Sequence, residues 1–352
     1  MKKHFISLLI ITLFLWSCHK DKPKPTSTTP QFTNGILCMN EGLFQQNNAS
    51  LSFYDLDSNK LHNHIFAEVN GRGLGDTAND MIAFTYNGKK YIAIAVDVSS
   101  QIEIIDYETF KSVKQIPMFN GNASKEPRAL NFYNNQLYSI NFDGTVSIID
   151  LSTYAVNQNI SCGLNPESSA IVNDKMYVVN SGGLNSPTYD STITVIDLST
   201  NLVVDTIVTA INCSQIVKDE QGDLYVVSRG NYSNISPKIQ RINTASNLVV
   251  ETFNLSTYEI TYFNNKLYYF NDSDKKIYTF NTQTEMVEGA LIDCSGFQNV
   301  YGIQVDELKQ LIYVNDANGY VNSSTVRCYD MQGVFKYEFN TDLNTGKLIF
   351  KH

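Results

Sequence analysis

One phrase recurs seven times along this chain: a run of β-branched or aromatic residues, then Asp or Asn, then a Ser-, Thr-, Asn- or Gly-rich turn. The copies read LSFYDLDSN, IEIIDYET, VSIIDLST, ITVIDLST, IQRINTAS, IYTFNTQT and VRCYDMQG. Their polar residues are Asp55, Asp106, Asp150, Asp197, Asn243, Asn281 and Asp330, a mean spacing of about 46 residues. A period of that size marks one supersecondary unit used repeatedly, and a fold assigned without it would be wrong throughout. In the third copy the unit reads as four strands: 128–133, an Asn134-Asn135 turn, then 136–142, 145–151 and 155–160. Four-stranded units set radially make a propeller, so the expectation is all-β, a seven-bladed β-propeller of antiparallel blades over residues 32–352. The length of 352 residues would otherwise allow two or three domains.

The ends of the repeat predict how the ring closes. The first unit opens at ILCMN, which matches a second strand and has no first strand before it; the last unit carries a surplus segment, GKLIFKH. Lys347 to Phe350 is therefore expected to supply the innermost strand of blade one, so that no sheet edge is left open.

Residues 1–31 read differently. Lys2 and Lys3 precede an apolar run from Phe5 to Trp16, the pattern of a secretory signal and too short for a membrane span. Leu15-Trp16-Ser17-Cys18 resembles the bacterial lipobox, which implies a signal peptide over 1–17, lipidation of Cys18 and a Lys-, Pro-, Ser- and Thr-rich tether over 18–31. This makes the chain, by expectation, an outer-membrane lipoprotein held to the membrane by its lipid, at the cell surface or in the periplasmic leaflet. The other cysteines, Cys38, Cys162, Cys213, Cys294 and Cys328, show no zinc spacing and fall mostly in apolar strand-like runs, as buried free thiols do.

Charge narrows the partners. With 26 Lys and Arg against 35 Asp and Glu the net charge is -9, and loss of Lys2 and Lys3 with the leader would make it more acidic. Such a surface cannot replace counterions on a phosphate backbone, so no nucleic acid is expected.

In a propeller the loops between strands two and three and those between blades share one face. Here those loops are long: 41–49, 181–191, 229–238 and 315–326 between strands, and 75–80, 124–129, 163–169, 212–215, 256–259 and 297–302 between blades. The opposite face has only tight turns. Irregular loops on a rigid scaffold are where binding residues concentrate. The candidate ligand-binding residues on that face are Phe44, Gln46, Asn79, Asp80, Arg128, Glu167, Ser168, Tyr189, Arg229, Tyr232, Tyr258, Glu259, Asn299, Tyr301 and Tyr320. Most Asn residues have a plainer reading as turn formers, and most strand aromatics as core.

Catalysis is the weaker expectation, and the chain is read as a binding protein with no cofactor or metal. The segment after the leader holds only His19, His62, His64 and His352, and no GxSxG, HExxH or P-loop occurs. His62 and His64, two apart, would share a face of an outer strand and read as an exposed polar edge. A propeller hydrolase or lyase using Asp80, Glu167 or Glu259 remains an alternative, with nothing in the sequence pairing those acids.

The units VSIIDLST and ITVIDLSTNLVVDTI, with KMYVVNSG before the latter, resemble the YVTN-type repeats of YncE-like propellers. The lipobox, the tether and the opening ILCMNEGLFQQNNASLSFYD resemble the BtuG-type cobalamin-capture lipoproteins. That resemblance implies capture of cobalamin or a related corrinoid on the propeller face and delivery to a TonB-dependent outer-membrane transporter. A corrinoid is a broad disc edged with amides, which calls for a wide mouth, neutral donors and acceptors, and flat apolar contacts. A protein- or glycan-interaction module of a surface complex would use the same aromatic loops.

Overall fold

The computed structural model describes residues 32–352; the expected signal peptide, Cys18 and tether lie outside the described residues. Seven four-stranded antiparallel sheets follow one another around a ring. From the inside outwards, blade two is Ala78–Tyr86, Lys89–Val96, Gln101–Asp106 and Ser112–Pro117, and blade three begins at Pro127–Tyr133. The innermost strands of blades four to seven are Pro166–Val172, Cys213–Lys218, Ile260–Phe263 and Val300–Asp306.

Blade one is assembled from both ends of this segment. Its strands run Lys60–His62, Ser50–Asp55, Gly35–Asn40 and, innermost, Thr345–Lys351. The register pairs Ile36 with Phe350 and Cys38 with Leu348. The closing strand is thus where the repeat arithmetic put it, lengthened by two residues at its start and one at its end.

The repeat residues explain themselves at the turns. Asp106 Oδ1 accepts from the backbone N–H groups of Glu108 and Thr109; Asp197 does so from Ser199 and Thr200, Asn281 from Gln283 and Thr284, and Asp330 from Gln332 and Val334. A short polar side chain at the end of the third strand satisfies donors that the turn to the fourth would leave open. Three of the turns between first and second strands use an Asn-Asn or Asn-Asp pair instead. Asn134-Asn135, Asn173-Asp174 and Asn264-Asn265 all have positive φ at both positions, as a two-residue hairpin matching the strand twist requires.

Between the sheets, the second and third strands supply the core. Tyr138, Tyr177, Tyr225 and Tyr313 occupy equivalent places and are fully buried. Beside them a buried Asn ends the second strand and bonds the hydroxyls of the third: Asn40 to Ser50 and Ser52, Asn141 to Thr145 and Ser147, Asn180 to Thr192 and Thr194. These asparagines are structural but are not turn residues. They hold the mouths of these three hairpins closed.

Two details depart from the sequence reading. A six-residue helix, Ile65–Asn70, follows the three-residue outer strand of blade one and buries Ile65 and Phe66, completing a blade whose fourth strand is too short to cover its own core. His64 does not share a strand face with His62: it lies beyond the strand in a left-handed conformation and places Nδ1 3.1 Å from Asp342. Among the described residues the five cysteines are free thiols, four of them buried.

Candidate functional site

A regular defect in the innermost strands builds the site. In blades two, three, four, five and seven the ladder slips by one residue near the start of that strand, and the residue left unpaired is Asn79, Arg128, Glu167, Ser214 or Tyr301. In blade one the slip leaves out Gly346. A β-bulge bends a strand and re-aims one side chain. Repeated around a ring, it brings six such positions to the lining of one cavity.

These residues line a well of about 580 Å³ at the long-loop end of the channel. Of the residues nominated from the sequence, Asn79, Asp80, Arg128, Glu167, Ser168, Arg229, Glu259 and Tyr301 all line it. Glu41, Gln215, Gln304 and Lys347 join them and were not foreseen. Gly346 matters to Glu41: a β-carbon there would lie 2.7 Å from Glu41 Oε1, so the bulge residue must be small for that carboxyl to enter.

The other nominated residues stand elsewhere on the same end. Phe44, Tyr232 and Tyr320 are 68%, 62% and 47% exposed, far more than packing alone would leave rings of that size. Tyr232 is stacked beside Tyr258, with ring centroids 6.3 Å apart, and meets Tyr189 edge-on at the same separation. Tyr320 meets Tyr301 at 5.8 Å, linking rim to well. Gln46 is exposed, and its backbone N–H closes a turn onto Leu43. Asn299 braces a loop, its Oδ1 accepting from Gly319 N–H. The exposed apolar residues Leu164, Leu184, Ile235 and Val321 belong to loops on this same end.

Charge in the well is arranged in pairs. Arg128 bonds Asp97 and Glu167, each at 2.9 Å, and lies over the Phe142 ring. Burial pulls its pKa down, but the two carboxylates outweigh burial and hold it above the ordinary value. Arg229 lies 3.5 Å from the other oxygen of Glu167. Lys347 lies 3.1 Å from Asp80, whose charge raises the ammonium pKa. Asp80 also accepts from Leu130 N–H in the next blade, and Gln215 repeats the relationship one side on, accepting from Ile260 N–H and donating to Glu259 at 2.9 Å. Glu41 accepts from the Tyr301 hydroxyl at 2.7 Å. Burial pushes both Glu41 and Glu259 up to about 7, against the weaker opposing effects of Tyr301 and Gln215.

A second concavity, about 840 Å³, opens at the tight-turn end and is lined by Lys218, Asp219, Glu220, Tyr262, Asn264, Glu307 and Gln310 among others. It is larger but shallow and made by hairpin turns whose polar groups serve the turns, as Asp219 does in accepting from Gln221 and Asp223 N–H. Among the described residues no group of His, Cys, Asp and Glu is placed to hold a metal ion.

No curated protein matches the sequence. Solved structures match the fold at low identity. A quinonprotein alcohol dehydrogenase-like protein from Bacteroides thetaiotaomicron VPI-5482 superposes with a TM-score of 0.67 at 16% identity, over 92% of this chain and 79% of that one. Hydrazine synthase from Kuenenia stuttgartiensis gives 0.60 at 17% identity, over 72% and 84%, and the computationally designed Ika8 protein 0.57 at 11%, over 88% of each. At such identities the likeness is one of fold alone. The family model described as "Domain of unknown function (DUF5074)" matches residues 34–343, nearly the whole ring. The chain belongs to that family.

Proposed function

We propose that this propeller is a capture protein, holding a broad small molecule across the long-loop end and performing no chemistry on it. The observation that carries the reading is the pairing of an exposed apolar and aromatic rim, from Phe44 through Tyr232 to Tyr320, with a polar well beneath it. Exposed rings gathered on one end of a rigid scaffold cost solvation that a flat ligand would recover, and polar groups below fix its orientation. A corrinoid of the cobalamin type is the first candidate, because it is a disc with amide edges and because the sequence resembles the BtuG-type and YncE-like propellers. On this reading the chain is a lipid-anchored envelope protein that passes its ligand to a TonB-dependent outer-membrane transporter.

The test is a titration of residues 32–352 with cyanocobalamin, followed by heat and by the visible absorption of the corrin. Saturable one-to-one binding supports the proposal. Neither heat nor a spectral change at micromolar protein removes the corrinoid, and binding of an oligosaccharide in its place would move the same rim to glycan recognition.

A further inference from the structure

Five acids and three bases meet in or against the well, and their partners can be assigned one by one. Lys347 is matched by Asp80, while Arg128 and Arg229 are matched by Asp97 and Glu167. Glu41 and Glu259 are left without a bonded cation. Among the described residues, the hydrogen-bonding partners of their side chains are neutral, the Tyr301 hydroxyl and the Gln215 amide, and each has an Oε1 that accepts nothing. Both side chains are partly buried, and an ionised carboxyl drawn even partly out of water without a counter-charge is costly.

A separate observation points the same way. Ser214 is only 3% exposed, lines the well from the bulge of blade five, and its hydroxyl has no partner. It immediately precedes Gln215, the residue that bonds Glu259. The well therefore holds three oxygens with no assigned hydrogen bond: the Oε1 atoms of Glu41 and Glu259 and the Ser214 hydroxyl, which can accept as well as donate.

We propose that the well is a binding site for a protonated primary amine, with Glu41 and Glu259 as its counter-charges and Ser214 as a further acceptor. A primary ammonium brings one positive charge and three donors, the complement of what is missing. The aromatic Tyr301 beside Glu41 suits a cation as well. Lys347, Arg128 and Arg229 face the same space, but each is held by an acid already, so their repulsion is offset. The site lies beneath the rim and stands whether or not the rim holds a corrinoid.

Proton linkage gives the proposal a signature. Glu41 faces Tyr301, Arg128, Asp97 and Glu259; Glu259 faces Gln215, Arg229 and Lys347. Both glutamates titrate at about 7, whereas an alkylamine stays protonated to about pH 10. An amine must therefore displace protons when it binds below neutrality and bind more tightly above it.

The experiment is calorimetric titration of the full chain with putrescine at about pH 6 and about pH 8, with butanediol as the uncharged counterpart. The expected result is putrescine binding roughly tenfold or more tighter at the higher pH, proton release at the lower, no binding of butanediol, and about tenfold weaker binding in Glu41→Gln and in Glu259→Gln. Thermal melting of each variant confirms that it is folded. Absence of putrescine binding at the higher pH, equal binding of butanediol, or unchanged affinity in the doubly substituted protein would overturn the proposal. Cyanocobalamin binding without putrescine binding would remove the amine site and leave the capture reading standing; the opposite pair of results would do the reverse.

Discussion

Lys351 in the closing strand donates from Nζ to the backbone carbonyl of Tyr107, at 2.6 Å, and the same ammonium lies 4.2 Å from the centre of the Tyr107 ring and 4.8 Å from that of Phe110. The side chain is 1% exposed. Tyr107 and Phe110 belong to blade two, so a residue of blade one's innermost strand ties that blade to its neighbour at the seam of the ring. Burial lowers the Lys351 pKa, and the Tyr107 carbonyl, the two rings and Glu108 at 3.7 Å offset the cost of keeping the charge there.

Replacing Lys351 by Ala removes that hydrogen bond and both ring contacts and opens a cavity. The expected loss is about 2–4 kcal/mol in chemical denaturation. A change of less than about 0.5 kcal/mol would show that the seam does not depend on this contact.

Removing residues 345–352 tests closure as a whole. Blade one would keep three strands, and Gly35–Asn40 would become an open edge beside the channel. Cooperative unfolding should be lost or the melting temperature should fall by more than about 10 °C; melting like that of the intact chain would contradict ring closure by this strand.

The turn-capping acids predict an acid limb. Desolvation is the largest single effect on Asp106 and raises it, but the ion pair with Lys89 and the hydrogen bonds from Thr109 together outweigh it and lower the carboxyl to about 2 from its ordinary 3.8. A depressed carboxyl contributes its stabilisation above the ordinary value and loses it as pH falls from about 4 toward 2. Asp106→Asn should flatten that part of the stability profile and cost about 1 kcal/mol at neutral pH.

The well glutamates act in the opposite sense. Burial raises Glu41 and Glu259 from 4.5 to about 7, so the folded state binds protons that the unfolded state has released. Stability should decline as pH rises from about 4.5 to about 7 and level off beyond, by about 1–3 kcal/mol per group. The double substitution Glu41→Gln and Glu259→Gln should remove the slope. A wild-type melting temperature independent of pH over this range would show that neither acid is held neutral.

How much of this was readable in the sequence depends on whether the cause was local. The turn acids Asp55 to Asp330, the Asn-Asn hairpins and the long loops are local, and each carried a visible signature. The closing strand was readable because the period left one unit short and another long. The bulges were not: a one-residue slip leaves no mark in a pattern of alternating residues, yet it aims Arg128, Glu167, Ser214 and Tyr301 inward. Glu41 was passed over because it directly follows the strand Gly35–Asn40 and meets Tyr301, 260 positions away, only once the ring is closed. Lys347 enters the well by the same closure. The buried ladder from Asn40, Asn141 and Asn180 was hidden by a rule that is right for most asparagines, that they make turns.

The most direct test of capture at the long-loop end is cyanocobalamin titration of the intact propeller beside a variant in which Tyr189, Tyr232 and Tyr258 are all alanine. These rings form one contiguous patch of the rim, and their removal should leave folding intact and weaken binding about tenfold to a hundredfold. Binding by neither protein, or by both with equal affinity, would contradict the account.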